Sequence, residues 1–521
     1  MDLINLAEKL RDSGDNLLEY YKEGKKEIVP FKEVYHDVIK VCNFFKSKGV
    51  LARSRVIILG KNSYDWIVID LACILSGIIT IPLEIGKTYE LEELFEEFES
   101  DLLLTNLSEI NELGHENVMA FDEVINLSNL ITDDFVPYQY QPDEVFTFIF
   151  TSGTQGKSKF IEVKKKSFDY LISESQGLYN FTINDRFLVF LPLSIYLERV
   201  YVYSAILLGF SVIVTPLELV FHSIQNDKPS IIIGVPYFFE TFRNKFLERI
   251  KSKILYSIVL QCYLILKSMG FGLLFGHKFA PFVKAWGGNI RYLITGSAPI
   301  TKATLLFYKK MGIILYEGYG MSEIGGMIAL NSPGKVKLGS VGKPFPGKEV
   351  VISEIGEILV RSDKMANDHY YKIPKEESDK TYIEPNCVAT GDIGYFDKDG
   401  FLFINGRIKD IIVLSSGKKI HPGGLEELLI ETGLIANALV YGDNKPNLVA
   451  IIVPKTSDVT QDEIRVALKK VNETLASDER ILNVFFYDQH FTIQNKMLTN
   501  SLKLNRRSIV QQLQNEIEEL Y

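Results

Sequence analysis

Several things are scarce or missing in this 521-residue chain, and each absence removes a class of protein. The four cysteines, Cys42, Cys73, Cys262 and Cys387, are scattered, with no CxxC pair and no histidine at ligand spacing. They make neither a disulfide framework nor a zinc motif, and read as buried thiols of a reducing compartment. Net positive charge is missing too: 57 basic against 66 acidic residues leave −9. That balance argues against a protein whose affinity rests on displacing counterions from nucleic acid, so no nucleic-acid partner is expected. Internal repeats and low-complexity tracts are absent. The N-terminus, Met1-Asp2-Leu3-Ile4-Asn5, lacks the basic and apolar regions of a signal peptide, and a cytoplasmic location is expected. One strongly apolar run, residues 254–275, is about the length of a bilayer span. Gln261 and Lys267 would be costly in lipid and Gly270-Phe271-Gly272 weakens a helix, so the run is expected to be peripheral or protein-covered.

What is present begins with length. A chain of 521 residues exceeds one compact domain, and a large compound domain with a smaller one is expected. Helical spacing of Val34, Val38, Val41 and Phe44 predicts a helix over 31–50. Strand-like Val56 to Leu59, an apolar helix from Trp66 to Gly77, and strand-like Ile78 to Leu83 make a βαβ unit, hence a parallel sheet. A second α/β wave runs through apolar strands near 187–193, 211–215, 231–236 and 290–295. Residues 338–360 change character: short strands and Gly/Pro turns predict a small antiparallel barrel or sheet. After Arg407 the alternation restarts, which places a domain boundary at Ile408-Lys409.

The chemistry centres on Val145 to Phe150, a six-residue buried strand, and the loop that follows it, Thr151-Ser152-Gly153-Thr154-Gln155-Gly156-Lys157-Ser158-Lys159. Gly153 and Gly156 allow backbone N–H groups to turn inward, Ser152 and Thr154 add donors, and Lys157 and Lys159 add charge, so the loop suits a polyphosphate. It is not a Walker A loop, because Thr151 stands where that pattern needs glycine. Tyr316 to Glu323 offers an aromatic, a hydroxyl and a carboxylate on a glycine-loosened turn. Thr390-Gly391-Asp392 sets a carboxylate at a tight turn, suited to the two hydroxyls of a ribose. Gly406-Arg407-Ile408-Lys409-Asp410 puts cations on the domain boundary, and Thr499 to Arg507 is a basic segment. Singly, each has an ordinary reading as packing, turn former or solvated charge. Their order along one chain carries more weight than any one of them.

Together these motifs resemble the adenylate-forming superfamily of acyl-CoA synthetases, adenylation domains and luciferases. Residues 151–159 are similar to its phosphate loop. Tyr319 to Glu323 is similar to its Tyr-Gly-x-Thr-Glu motif, with Ser322 for threonine. Thr390 to Asp392, Gly406 to Asp410, Ser416 to Pro422 with Glu426, and Thr499 to Arg507 match its later motifs. Asn62-Ser63-x-x-Trp66, Pro229 to Glu240 and Leu191 to Arg199 resemble the long-chain fatty acyl-CoA synthetases in particular, except that Ile195 stands where that group usually has histidine.

The resemblance implies an α/β fold: an N-terminal domain, residues 1–408, of two stacked, mostly parallel α/β subdomains plus a small β-barrel, and a small mobile α+β C-terminal lid, residues 409–521. It implies that a medium- to long-chain fatty acid reacts with ATP and Mg²⁺ to give acyl-AMP and that the acyl group passes to CoA; the alternatives are an acyl-AMP ligase that stops at the adenylate, or a ligase that delivers the acyl group to an acyl carrier protein. Lys503, Glu323 and Ser322 would be catalytic, with Glu323 also meeting the metal. ATP and AMP would be bound by Thr151, Ser152, Gly153, Thr154, Gln155, Gly156, Lys159, Ser297, Ala298, Pro299, Glu317, Gly318, Tyr319, Gly320, Ser322, Asp392 and Arg407. Lys409 would be the hinge. Ile195, Tyr237 and Gly296 would border the acyl pocket, and Ser416, Gly417 and Lys418 would face the thiol acceptor. Peripheral membrane contact through 254–275 and a homodimer stay open at this point.

Overall fold

The computed structural model describes residues 2–112, 114–128, 135–151, 159–251, 279–492, 494–498 and 504–521. The phosphate loop from Ser152 to Ser158, the apolar run 254–275, Cys262 and Lys503 lie outside the described residues.

Two large sheets form the body, as the two α/β waves predict. The first has six strands in the order Val118–Ala120, Leu102–Thr105, Arg55–Leu59, Ile79–Pro82, Val145–Thr151 and Lys159–Lys164. All of its pairs are parallel except the last, where Thr151 faces Lys159 across an antiparallel ladder. Thr151 and Lys159, which flank the expected phosphate loop, are therefore both strand residues. The second sheet has nine strands, with Tyr292–Thr295, Ile231–Gly234, Arg186–Val189 and Ser211–Val214 as its parallel centre. Leu17–Lys22 joins this centre in parallel and carries Lys25–Pro30 as an antiparallel edge. On the other side Leu315–Met321 continues in parallel, followed by antiparallel Gly326–Leu330 and Lys343–Pro344.

The helices that cover these sheets are apolar on the inward face. Phe31–Ser47 buries Val34, Val38, Val41 and Phe44, and Tyr64–Leu75 is buried over nearly its whole length, consistent with a helix sandwiched between layers. The side chain of Ser63 caps the latter by accepting from the Trp66 N–H. Cys42, Cys73 and Cys387 are buried free thiols. A small antiparallel unit of five strands is built from Glu349–Ile352, Glu357–Arg361, Tyr382–Glu384, Cys387–Phe396 and Leu402–Arg407.

Beyond the short turn Ile408–Asp410 the chain builds a three-stranded sheet, Ile435–Tyr441, Leu448–Pro454 and Ile481–Phe486, with its own apolar core. Helix Pro422–Glu431 packs on it, and Gln461–Glu473 starts in a capping box between Thr460 and Glu463. Among the described residues no helix is long and apolar enough to cross a membrane.

Candidate active site

Parallel strands bring their following loops to one rim, and that is where the expected residues gather. Arg186–Val189, Ile231–Gly234, Tyr292–Thr295 and Leu315–Met321 are successive neighbours in the nine-stranded sheet. Beyond their C-terminal ends come Ile195, Tyr237 and Gly296, while Tyr319 sits at the end of the fourth strand itself. Ile195 precedes helix Tyr196–Leu208 and is 38% exposed, and Tyr237, in the first turn of Pro236–Lys251, is 60% exposed. The three residues expected at an acyl pocket thus stand in a row that leads to the residues expected at the nucleotide. Ser297, Ala298 and Pro299 continue from Gly296, with Ser297 at φ +68, in the left-handed region.

Tyr319 and Gly320 do not lie on a turn: both belong to the strand Leu315–Met321, with a register shift between them, and the turn begins at Ser322. Glycine is needed there for close approach, since a Cβ on Gly320 would fall 2.2 Å from the Gly326 carbonyl oxygen. Likewise a Cβ on Gly296 would lie 2.9 Å from the oxygen of Gly318. Asp392 does not sit at a tight turn either. It lies within strand Cys387–Phe396, just after Gly391 at φ +71, where the ladder to Glu357–Arg361 is irregular between Ala389 and Ile393.

Asp392 is the junction of the site. It faces Arg407 in register across the small sheet, and Arg407 Nε lies 3.1 Å from its Oδ1. Its Oδ2 accepts from the Tyr319 hydroxyl at 2.6 Å, which ties the small sheet to the rim of the large one. Burial and the Asp392 carboxylate push the Tyr319 phenol well above its ordinary range, so it stays a donor. The Arg407 side chain is 44% exposed and retains donors for a ligand.

Glu323 stands on the turn Ser322–Ile324 and is buried. The hydroxyl of Tyr370 donates to its Oε1 at 2.8 Å, and Ser322 Oγ donates to the Phe150 carbonyl at 3.4 Å, just before the phosphate loop. Burial raises the Glu323 carboxyl above the usual range, while Tyr370, Arg407 and Lys159 pull partway back. Lys159 Nζ lies 4.5 Å from the centre of the Tyr370 ring and 2.8 Å from Glu377 Oε1. Tyr370 carries no motif in the sequence and occupies irregular chain, so only the fold reveals it. Glu317, in register with Thr295, is raised by burial to about 8; the Gly339 N–H donates to its Oε2 at 3.3 Å.

Among the described residues no group of three or more His, Cys, Asp or Glu side chains could hold a metal. A single carboxylate at Glu323 instead fits Mg²⁺, which keeps most of its shell as water and substrate phosphate oxygens. Lys409 lies in the turn Ile408–Asp410, and burial and Arg407 lower its pKa. Ser416, Gly417 and Lys418 are exposed at the tip of the hairpin formed by Ile412–Val413 and Lys419–Ile420, with Lys418 paired to Asp478 at 2.9 Å.

A family model of the AMP-binding enzymes matches residues 13–370, and one of the AMP-binding enzyme C-terminal domain matches 409–521. The long-chain-fatty-acid–CoA ligase FadD15 of Mycobacterium tuberculosis is 28% identical over 544 residues, covering 91% of this chain and 89% of that protein. The 2-succinylbenzoate–CoA ligase of Bacillus cereus is 25% identical, over 85% of this chain and 87% of its own length. Among solved structures, o-succinylbenzoate CoA synthetase of Bacillus subtilis, in complex with ATP and magnesium, shares the fold with a TM-score of 0.75 at 21% identity, covering 96% of this chain and 98% of that one. By the match over most of its length, the chain belongs to the family of AMP-binding enzymes.

Proposed function

We propose that this protein activates a fatty carboxylic acid with ATP to acyl-AMP and then transfers the acyl group to CoA. The observation that carries the reading is the continuous rim. Ile195, Tyr237 and Gly296 lead along three adjacent strand ends to Tyr319, whose hydroxyl meets Asp392 and through it Arg407.

In this reading the apolar tail lies along Ile195 and Tyr237, and the carboxylate comes to rest near Gly296. Tyr319 packs on adenine, while Asp392 and Arg407 take the ribose hydroxyls with the lone pairs and N–H groups left free by their mutual contact. The attacking carboxylate forms a bond to the α-phosphorus and pyrophosphate leaves with the electron pair, giving acyl-AMP. The protein's contribution is positioning and charge neutralisation. Mg²⁺, when bound, would neutralise phosphate oxygens beside Glu323. Lys503 is proposed to bridge the attacking carboxylate and the α-phosphate, where negative charge gathers. In the second half a thiol, entering past Ser416, Gly417 and Lys418, displaces AMP after the C-terminal unit turns about Lys409.

The test is pyrophosphate release across a panel of carboxylic acids of increasing chain length, with o-succinylbenzoate included, each with and without CoA or an acyl carrier protein. A fatty acid that drives release, with CoA required for turnover, supports the reading. Release with succinylbenzoate alone would overturn the substrate class, and turnover only with the carrier protein would overturn the acceptor.

A further inference from the structure

Lys348 is a buried lysine, 6% exposed, for which no ion pair occurs among the described residues. Burial alone drives its pKa down, to about 7. A cationic group in such surroundings is costly unless its donors are placed, and long side chains without a structural use rarely stay there. Its Nζ donates to two backbone carbonyls, Met327 O at 2.6 Å and Ile324 O at 3.1 Å. Charged or neutral, the amino group keeps enough N–H donors for both. Ile324 is the last residue of the short turn that carries Glu323, and Met327 lies in the strand that follows.

The lysine is itself held. The Tyr170 hydroxyl donates to the Pro346 carbonyl, and the rings of Tyr170 and Phe345 each lie 5.8 Å from Nζ. The Phe345 N–H donates to Ile328 O at 2.8 Å, fixing the loop to the same strand from its other side. A Cβ at Gly325 would meet Ser167 Oγ at 2.3 Å, so the turn is seated directly on helix Lys165–Tyr179.

We propose that Lys348 is a positioning residue for Glu323: by bonding the carbonyls on both sides of Gly325 it fixes where the turn ends, and so where the carboxylate stands. The inference rests on the reading of Glu323 as the carboxylate that meets Mg²⁺.

The experiment measures ATP binding by calorimetry over a series of Mg²⁺ concentrations, for the wild type, Lys348→Met, Lys348→Gln and Glu323→Gln, together with each ligand-free unfolding midpoint. Lys348→Met keeps about the same length; the lost donation to the Ile324 and Met327 carbonyls is offset by no longer burying an amino group that has no counter-charge among the described residues, so the midpoint should stay within a few degrees of wild type. The Mg²⁺ concentration giving half-maximal ATP affinity should rise several-fold in Lys348→Met and Glu323→Gln, and by less in Lys348→Gln, which keeps a donor. A shift in Glu323→Gln with neither Lys348 variant moving would overturn the role of Lys348. No shift in Glu323→Gln would overturn the metal reading and this inference with it. If Lys348→Met does not fold, Lys348→Gln alone decides by the same criterion.

Discussion

Among the buried charged clusters of the large N-terminal unit, one lies deep between its layers and another at the rim. In the deep one, Arg199 Nη2 lies 2.7 Å from Asp70 Oδ1 and its Nε 3.2 Å from Oδ2. Thr147, Thr80 and Tyr203 accept further guanidinium bonds at 2.7, 2.8 and 3.0 Å. Burial alone would lower the Arg199 pKa, but Asp70 and Tyr203 outweigh it and hold it raised. At the rim, Asp392 shares its oxygens with one phenol and one half-open arginine, and burial lifts both Glu323 and Glu317. The first cluster satisfies its charges within the protein. The second leaves carboxylates raised and arginine donors open, which is what a site completed by a ligand requires.

The largest effect expected from breaking this contrast is kinetic. Lys503→Ala should slow acyl-AMP formation by about a hundredfold or more, the scale of losing one group that stabilises transition-state charge. Thioester formation from supplied acyl-AMP should persist. Lys409→Pro, which fixes φ at the turn Ile408–Asp410, should do the reverse. Separate assays of the two half-reactions decide it, and equal loss of both in both variants would end the alternating account.

The next effect is on stability. Asp70→Asn leaves the buried Arg199 guanidinium without its counter-charge, and unfolding of the large unit in denaturant should become easier by about 3–5 kcal/mol. Asp392→Asn should cost well under that, because Arg407 is 44% exposed and finds water. Equal losses would show that the rim cluster is scaffold as well.

The smallest effect is a pH dependence. A carboxyl raised from its unfolded value near 4.5 to about 8 contributes stability that is full below about 4.5 and is lost as pH rises through 8. Glu317→Gln should therefore match the wild-type thermal midpoint at pH 5 and exceed it by a few degrees at pH 8.5. A constant difference across that range would show that Glu317 is not held protonated.

How much of this is legible in the sequence depends on range. The strand Val145–Thr151 and helix Phe31–Ser47 announce themselves by local apolar pattern, and so does the parallel alternation. The hairpin Leu17–Lys22 with Lys25–Pro30 does not: it is rich in Lys and Glu, and its edge strand is largely exposed, so no alternation betrays it. At Gly320 and Gly391 glycine suggests turns, whereas the chain uses it for a close backbone approach in one strand and a left-handed residue in another. The motif residues Tyr319, Glu323, Asp392 and Arg407 can be named from sequence, but their meeting cannot. Tyr370 and Lys348 are further from reach, since their partners Glu323, Ile324 and Met327 lie more than twenty residues away.

The most direct test of the central claim, that the rim cluster is completed by nucleotide, is calorimetric titration of Mg²⁺·ATP into the wild type and Asp392→Ala. The account predicts that the dissociation constant rises at least tenfold in the variant, since a charge-assisted hydrogen bond contributes about 1.5–3 kcal/mol. Fatty-acid binding should be unchanged. Wild-type nucleotide affinity in a folded Asp392→Ala protein would contradict it.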